Sequence, residues 1–312
     1  MSPKNKHKNE PFGIPPQANM VLIGGGLYAS TARPLIEFGL ALSGKNAPNV
    51  LLIPTAKDKE STFATFSLKA QHMYREDIGT PVDMLHSYTD MPSTKDLQEK
   101  FDKADVLYIA GGNTHYAMNQ WKKHGIDGLL TQAMRQGKII IGDSAGTLAW
   151  FNDGFSDAES YEVKKGTGWG YIEVHGLGRI DTIVCPHFNS TQTPDGRVRS
   201  EYFKEYLRLK SEKSGSVEFG LGIDNDVALV ATGGLVKVLR TSLDLDIHIV
   251  SSGADGTYTQ SPLNAPKFSV AEAHRNLDKL RNEGITWEDF YLQLTEPVKN
   301  PQVVASVSSI TS

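Results

Sequence analysis

The chain has 312 residues, 22% charged and 39% hydrophobic, with 32 Lys+Arg against 36 Asp+Glu and a formal net charge of −4. That balance argues against a nucleic-acid or membrane surface as the main partner, and a single cysteine, Cys185, excludes an internal disulfide and any multi-cysteine zinc site. No apolar run approaches the roughly 18 residues that span a bilayer, and the polar start lacks the apolar core of a secretory signal, so a cytoplasmic location is expected.

Residues 1–18 are polar and Pro-rich, too poor in apolar side chains to pack, and are expected to form a flexible arm. From Asn19 onward, short apolar runs alternate with longer helix-like stretches. Strands are expected at 20–26, 49–56, 82–88, 104–112 and 137–146, with helices at 29–43, 60–77, 94–103 and 115–136 between them. Near-continuous hydrophobicity in several of the runs fits strands buried on both faces. The repeated strand–helix order predicts an α/β fold with a mostly parallel central sheet flanked by helices.

The second half is less regular. Residues 155–178, rich in Gly, aromatic and charged residues, read as an extended loop region, 179–188 as a strand delivering a loop, and 198–210 as an amphipathic helix. GLGIDNDVALVATGG (220–234) followed by LVKVLR (235–240) reads as a hairpin with glycine at its turn. These elements place one α/β domain over 19–250. Residues 251–312 are expected to form a C-terminal extension that packs on the same domain, with a helix at 270–283, then ITWEDFYLQL, and a frayed tail from Pro297.

Chemistry concentrates at two glycine-rich strand ends. GDSAG (142–146) fits G-x-S-x-G directly after the apolar KIII, where a sharp strand-to-helix turn exposes a serine hydroxyl and the helix start favours developing negative charge. AGGNTHYAMNQW (110–121) also follows a strand, and its bland reading is a glycine turn with Asn113 or Thr114 capping the next helix. Both loops open on the carboxyl edge of a parallel sheet, the edge where such folds bind ligands. Backbone N–H groups of Gly112 and Ala145 aimed at one oxygen would form an oxyanion hole. Asp143, beside the serine, is expected to shape the pocket.

GGNT, a helix, G-x-SAG, and then a PHF segment about forty residues later resemble peptidase family S51, which contains aspartyl dipeptidase (peptidase E) and cyanophycinase. The resemblance covers roughly 19–240, with 32 positions from Gly112 to Ser144 and 43 from Ser144 to His187. It implies a fold like the class I glutamine amidotransferases (flavodoxin-like) and a serine peptidase acting on small peptides such as Asp-X dipeptides. Ser144 is then the nucleophile and His187 the general base, which a serine hydroxyl needs at neutral pH; His115 and His175 are the rival histidines.

The carboxylate that orients the base falls, by the same resemblance, on Asp157 or Glu159, with Asp157 preferred. By the same resemblance Arg199, at a helix start, is the candidate for binding an acidic substrate side chain, with Arg197 as its rival; a guanidinium fork matches a carboxylate. Asn113 is a second candidate substrate contact. No metal and no cofactor is expected, and a homodimer is compatible with the sequence. Two departures from the family pattern are Asp143 before the serine and GIDND (222–226) in place of a Glu-Gly pairing. The competing readings are a cyanophycinase-like hydrolase of β-Asp-Arg linkages, an α/β-hydrolase esterase and an inactive binding protein on the same fold. The esterase reading fits badly, because GGG at 24–26 has no preceding histidine.

Overall fold

A computed structural model describes residues 13–25, 32–85, 91–161, 170–193, 195–253 and 255–295. The first half alternates as its apolar runs predict: β1 (Asn19–Ile23), α1 (Arg33–Ala41), β2 (Val50–Ile53), α2 (Glu60–His72), β3 (Val82–Met84), α3 (Thr94–Lys103) and β4 (Val106–Ile109). Then follow α4 (Thr114–His124), α5 (Ile126–Arg135), β5 (Ile139–Asp143) and the one-turn α6 (Ala145–Leu148). The single helix expected at 115–136 is two helices, because Gly125 ends α4 in the left-handed conformation and its N–H closes on Trp121 O.

The second half holds β6 (Phe151–Ser156), β7 (Ile172–His175), β8 (Ile180–Pro186), α7 (Arg199–Ser214), β9 (Glu218–Ile223), β10 (Val227–Thr232) and β11 (Leu235–Arg240). The chain continues through β12 (Ile247–Ser252), β13 (Tyr258–Pro262), β14 (Lys267–Ser269), α8 (Val270–Arg275), α9 (Leu277–Asn282), β15 (Ile285–Thr286) and α10 (Trp287–Thr295).

Among the described residues the strands form two sheets. The larger runs β14-β11-β10-β1-β5-β4-β2-β3, with β15 also paired to β11, and its core β1-β5-β4-β2-β3 is parallel throughout. The sheet is buried on both faces, as the continuous hydrophobicity of its strands requires. Met20 and Leu22 of β1 pack with Ala117, Trp121, Leu130 and Met134 of α4 and α5. Val21 and Ile23 face the opposite way, towards Leu35, Ile36 and Phe38 of α1 and Phe66 of α2.

The smaller sheet, β13-β12-β9-β8-β6-β7, departs from the expected single sheet. The segment read as a loop over 155–178 contains the end of β6 and all of β7, which pair antiparallel. The expected hairpin over 220–240 is divided. β10 and β11 pair across the Gly233–Gly234 turn, whereas β9 lies in the smaller sheet between β8 and β12. Residues beyond 250 are woven into both sheets: β13 extends the smaller one, and β14 and β15 flank β11 in the larger. The helix expected at 270–283 breaks at Asn276 (φ −144°) into α8 and α9. The frayed tail from Pro297, and residues 1–12 of the arm, lie outside the described residues. Among the described residues no helix is long and apolar enough to cross a membrane.

The chain leaves β2 towards β3 and β4 towards β5, in opposite directions along the sheet. In parallel α/β sheets such a reversal opens a crevice at the carboxyl ends of the strands. The loop after β2 (Ala56–Asp58), the loop after β4 (Gly111–Asn113) and the turn after β5 (Ser144) all lie at that edge.

Candidate active site

Ser144 directly follows β5 and is the N-cap of α6, with φ 52° and ψ −108°. A residue with a Cβ is strained there and needs its surroundings to hold it. The Ser144 N–H donates to Ile23 O at 3.1 Å, and Ser144 O accepts from Thr147 and Leu148 N–H at 3.0 and 2.9 Å. The buried Thr147 hydroxyl bridges Ile23 O and Gly142 O, tying the turn to β1 and β5. These bonds aim the hydroxyl out of the strand end, as G-x-S-x-G predicts.

His187 follows β8 and also has positive φ, 56°. Its N–H donates to Gly24 O at 2.9 Å, and the neighbouring Phe188 N–H to Ile223 O at 3.1 Å, so the residue is pinned between β1 and β9. Nε2 lies 2.7 Å from Ser144 Oγ, and Nδ1 lies 2.7 Å from Asn225 Oδ1. Because Oδ1 accepts, the ring proton belongs on Nδ1, which leaves the Nε2 lone pair to take the serine proton. Burial, and then the nearby Arg199 charge, push the His187 pKa down to about 4, against the opposing effects of the Asn225 bond and the Asp157 charge. The imidazole is therefore neutral at pH 7, the state a general base requires.

Asn225 sits in the Asp224–Asp226 loop joining the two sheets. Its N–H donates to Asn189 Oδ1 at 2.9 Å, and the Asp226 N–H to Gly25 O at 3.0 Å. The buried Asp224 accepts from the Asp246 N–H and pairs with His248, which fixes the other end of the loop. Gly25 faces this pair closely: a Cβ there would overlap the His187 ring and crowd Asn225 Oδ1.

The oxyanion candidates lie beside the serine. Ala145 is the first residue of α6, where an N–H has no intrahelical acceptor. Gly112 adopts φ 142°, and a Cβ there would overlap Ala56 O, so only glycine fits. Among the described residues neither N–H donates to a backbone carbonyl.

Three expectations for the surrounding side chains are corrected. Asp157 and Glu159 do not occupy the place behind His187, because Asn225 does. Asp157 instead forms an ion pair with Arg199 at 3.2 Å, and Glu159 is exposed on the 3₁₀ turn after β6. Arg199, expected to be a free fork for an acidic substrate, is an internal residue with 4% side-chain exposure. One nitrogen binds Asp157, another binds Phe155 O at 3.1 Å, and the guanidinium lies 5.1 Å from the Tyr171 ring centre. Asn113 is the N-cap of α4: Oδ1 accepts from Tyr116 N–H at 3.0 Å and Nδ2 donates to Asp58 at 2.8 Å, so its side chain is already committed. His115 is exposed on α4, and His175 is bonded to Asp153 at 2.5 Å.

The profile of peptidase family S51 matches residues 20–239. The chain belongs to peptidase family S51. Among its relatives, an uncharacterized peptidase of Bacillus subtilis (YgaJ) is 25% identical over 54% of this chain and 68% of its own length. An uncharacterized peptidase of Listeria monocytogenes (Lmo0363) is 29% identical over 54% of this chain and 78% of its own. Peptidase E of Shewanella denitrificans is 23% identical over 55% and 67%. The crystal structure of a candidate peptidase E from Listeria monocytogenes EGD-e aligns with a TM-score of 0.51 and 23% identity, covering 72% of this chain and 99% of that one. The flavodoxin-like α/β architecture is thus shared, and family membership makes this S51 chain a peptidase.

Asn225 is the residue of the candidate site that sequence reasoning missed. Its signal was GIDND itself, a departure inside a segment whose neighbours fit the family. One cluster of potential metal ligands occurs among the described residues: Asp153, Glu173 and His175, with ligand atoms within 4.8 Å of one another. Lys210 Nζ, 2.8 Å from Glu173 and 4.0 Å from Asp153, already supplies a cation there.

Proposed function

We propose that this S51 peptidase is a serine hydrolase of small peptides that works through Ser144, His187 and Asn225. The observation that carries the reading is the continuous hydrogen-bonded line Ser144 Oγ–His187 Nε2 and His187 Nδ1–Asn225 Oδ1, 2.7 Å at each step. A serine hydroxyl at neutral pH is a poor nucleophile until a neighbouring base takes its proton. His187, neutral and oriented, accepts that proton as Ser144 Oγ attacks the peptide carbonyl carbon. The carbonyl oxygen becomes an oxyanion held by the Gly112 and Ala145 N–H groups. His187 then gives the proton to the leaving amine, the C–N bond breaks, and water hydrolyses the acyl-serine by the same steps in reverse.

Asn225 keeps the proton on Nδ1 and the ring in place, but a neutral amide stabilises the imidazolium less than a carboxylate does. The internal Arg199–Asp157 pair also bears on substrate choice. An acidic side chain would reach Arg199 only by displacing Asp157, so this reading carries a weak preference for Asp-X over neutral dipeptides.

The test is covalent labelling of the full chain with a fluorophosphonate, alongside hydrolysis of a panel of Asp-X, Glu-X, β-Asp-Arg and neutral dipeptides. Ser144→Ala is expected to lose both labelling and turnover while keeping its melting temperature. Labelling that survives in Ser144→Ala overturns the assignment. A strong Asp-X preference overturns only the substrate reading.

A further inference from the structure

We propose that Asp143 is a positioning residue that locks the nucleophile turn to the oxyanion-hole loop through the Gly111 N–H. The inference rests on the serine-hydrolase reading above and adds a residue to it. Asp143 immediately precedes Ser144, yet its side chain points into the protein rather than to the substrate: it is 5% exposed. The Gly111 backbone N–H lies close enough to this carboxylate to hold its pKa down. A Cβ built on Gly111 would lie 3.0 Å from Ser144 Cβ and 3.1 Å from Asp143 Oδ2, so the two strand ends meet at this point. Gly112, the oxyanion candidate, is the next residue. One carboxylate thus joins the residue before the nucleophile to the residue before the oxyanion donor, and the backbone N–H pair gains a fixed separation. Preorganised donors are effective because nothing needs to reorient as charge develops.

The groups facing Asp143 come from every neighbouring element. Lys57, 8% exposed after β2, is its positive neighbour, and Asp226, before β10, is a like charge at longer range. Tyr74, on the π-helical turn after α2, is fully buried, and its hydroxyl has no hydrogen-bond partner among the described residues. Asp143 Oδ1 is likewise buried without a hydrogen-bond partner among the described residues. Burial pushes the Asp143 pKa up to about 6, with Lys57 and the Gly111 bond restraining the rise. On this proposal an acid limb near pH 6 is expected from Asp143, because the His187 pKa is pushed down further, to about 4.

The test is the pH dependence of fluorophosphonate inactivation of the full chain, with the maximal rate separated from the half-saturating concentration. Asp143→Ala removes the acceptor and is expected to slow the maximal rate by about 30- to 100-fold, with half-saturation changed by less than about threefold. Asp143→Asn keeps an oxygen for Gly111 N–H but not the charge, so its rate should fall only about 3- to 10-fold. In the wild type the rate should drop near pH 6 to the Asp143→Asn level, and that limb should be missing from Asp143→Asn.

Three outcomes overturn the proposal: Asp143→Ala labelling within about threefold of wild type, Asp143→Asn as slow as Asp143→Ala, or a loss that falls on half-saturation. If Asp143→Ala does not fold, Asp143→Asn decides alone, and persistence of the pH 6 limb in it is fatal. Ser144→Ala separates this failure from the larger one. Were Ser144→Ala still labelled, the serine-hydrolase reading itself would be wrong. Were it unlabelled while Asp143→Ala reacted at full speed, only the positioning role would fall.

Discussion

An amide rather than a carboxylate against Nδ1 changes what His187 can do in the proposed mechanism. The amide oxygen accepts the Nδ1 proton at 2.7 Å and so selects the tautomer, but brings no charge to stabilise the cation. Burial and then Arg199 oppose protonation more strongly than the Asn225 bond and the Asp157 charge favour it, and the His187 pKa is pushed down to about 4. Asn225→Ala would free the ring to turn, and acylation by the fluorophosphonate should slow by about 10- to 100-fold. Asn225→Asp should preserve the geometry and add a negative charge, which favours the imidazolium and raises the His187 pKa. The acid limb of the labelling rate assigned to His187 should then move upward from about 4, with the rate at pH 8 at least as high as in the wild type. An unmoved limb would mean that Asn225 does not face the base in solution.

The elements carry this geometry because three strand ends converge. β1 contributes Gly24 O to hold the His187 N–H, β5 contributes Ser144, and β9 contributes Ile223 O to Phe188 N–H. Where β1 ends, Gly25 leaves the space that the imidazole fills. Gly25→Ala should therefore displace the ring from Ser144, and a shift of about 1 Å in a reacting group costs roughly 10²-fold. Labelling rate and thermal melting measured together would separate this from unfolding, because the expected loss of rate far exceeds the loss of stability. A Gly25→Ala protein that labels normally would refute the close packing.

At this same scale the limits of the sequence become clear. Ser144 and His187 were legible because each follows an apolar run within a short, recognisable string, and such strings depend on local backbone geometry. Asn225 was not, since it lies 38 positions beyond His187 and meets it only because β9 and β10 diverge into different sheets. Asp224–Asp226 looks like a hairpin turn for the same reason: turn-forming residues mark a change of direction but not the sheet to which each strand goes. β6 was hidden by Asn152, Asp153 and Gly154, which weaken its strand pattern, although β8 and β7 pair on either side of it.

For the whole molecule, the segment from β14 onward is tied to the larger sheet, and Lys237 shows how tightly it is bound in. Lys237 is on β11, fully buried, with Nζ donating to Leu280 O at the end of α9 and, at 3.4 Å, to Thr232 O. β14 and β15 pair with the same strand, so this ammonium clasps the late helices to the sheet that carries the candidate site. Burial lowers its pKa to about 8, with Glu283 opposing the shift at longer range. The sign of the linkage follows: below about 8 both folded and unfolded chains hold the proton, and the folded state bears the cost of a buried charge. Between about 8 and 10.5 the unfolded chain keeps the proton that the folded chain has released, so this group makes stability rise with pH. The full gain is about 3 kcal/mol at most. Lys237→Met removes the titration while filling most of the volume, so the wild type should gain stability relative to the variant as pH is raised from 7 to 10. Denaturant melts of the two proteins at each pH read this difference directly, since all other titrating groups are common to both. A difference that stays constant with pH would show that Lys237 is not buried as a cation, and that the clasp is made by its hydrocarbon chain and strand pairing alone.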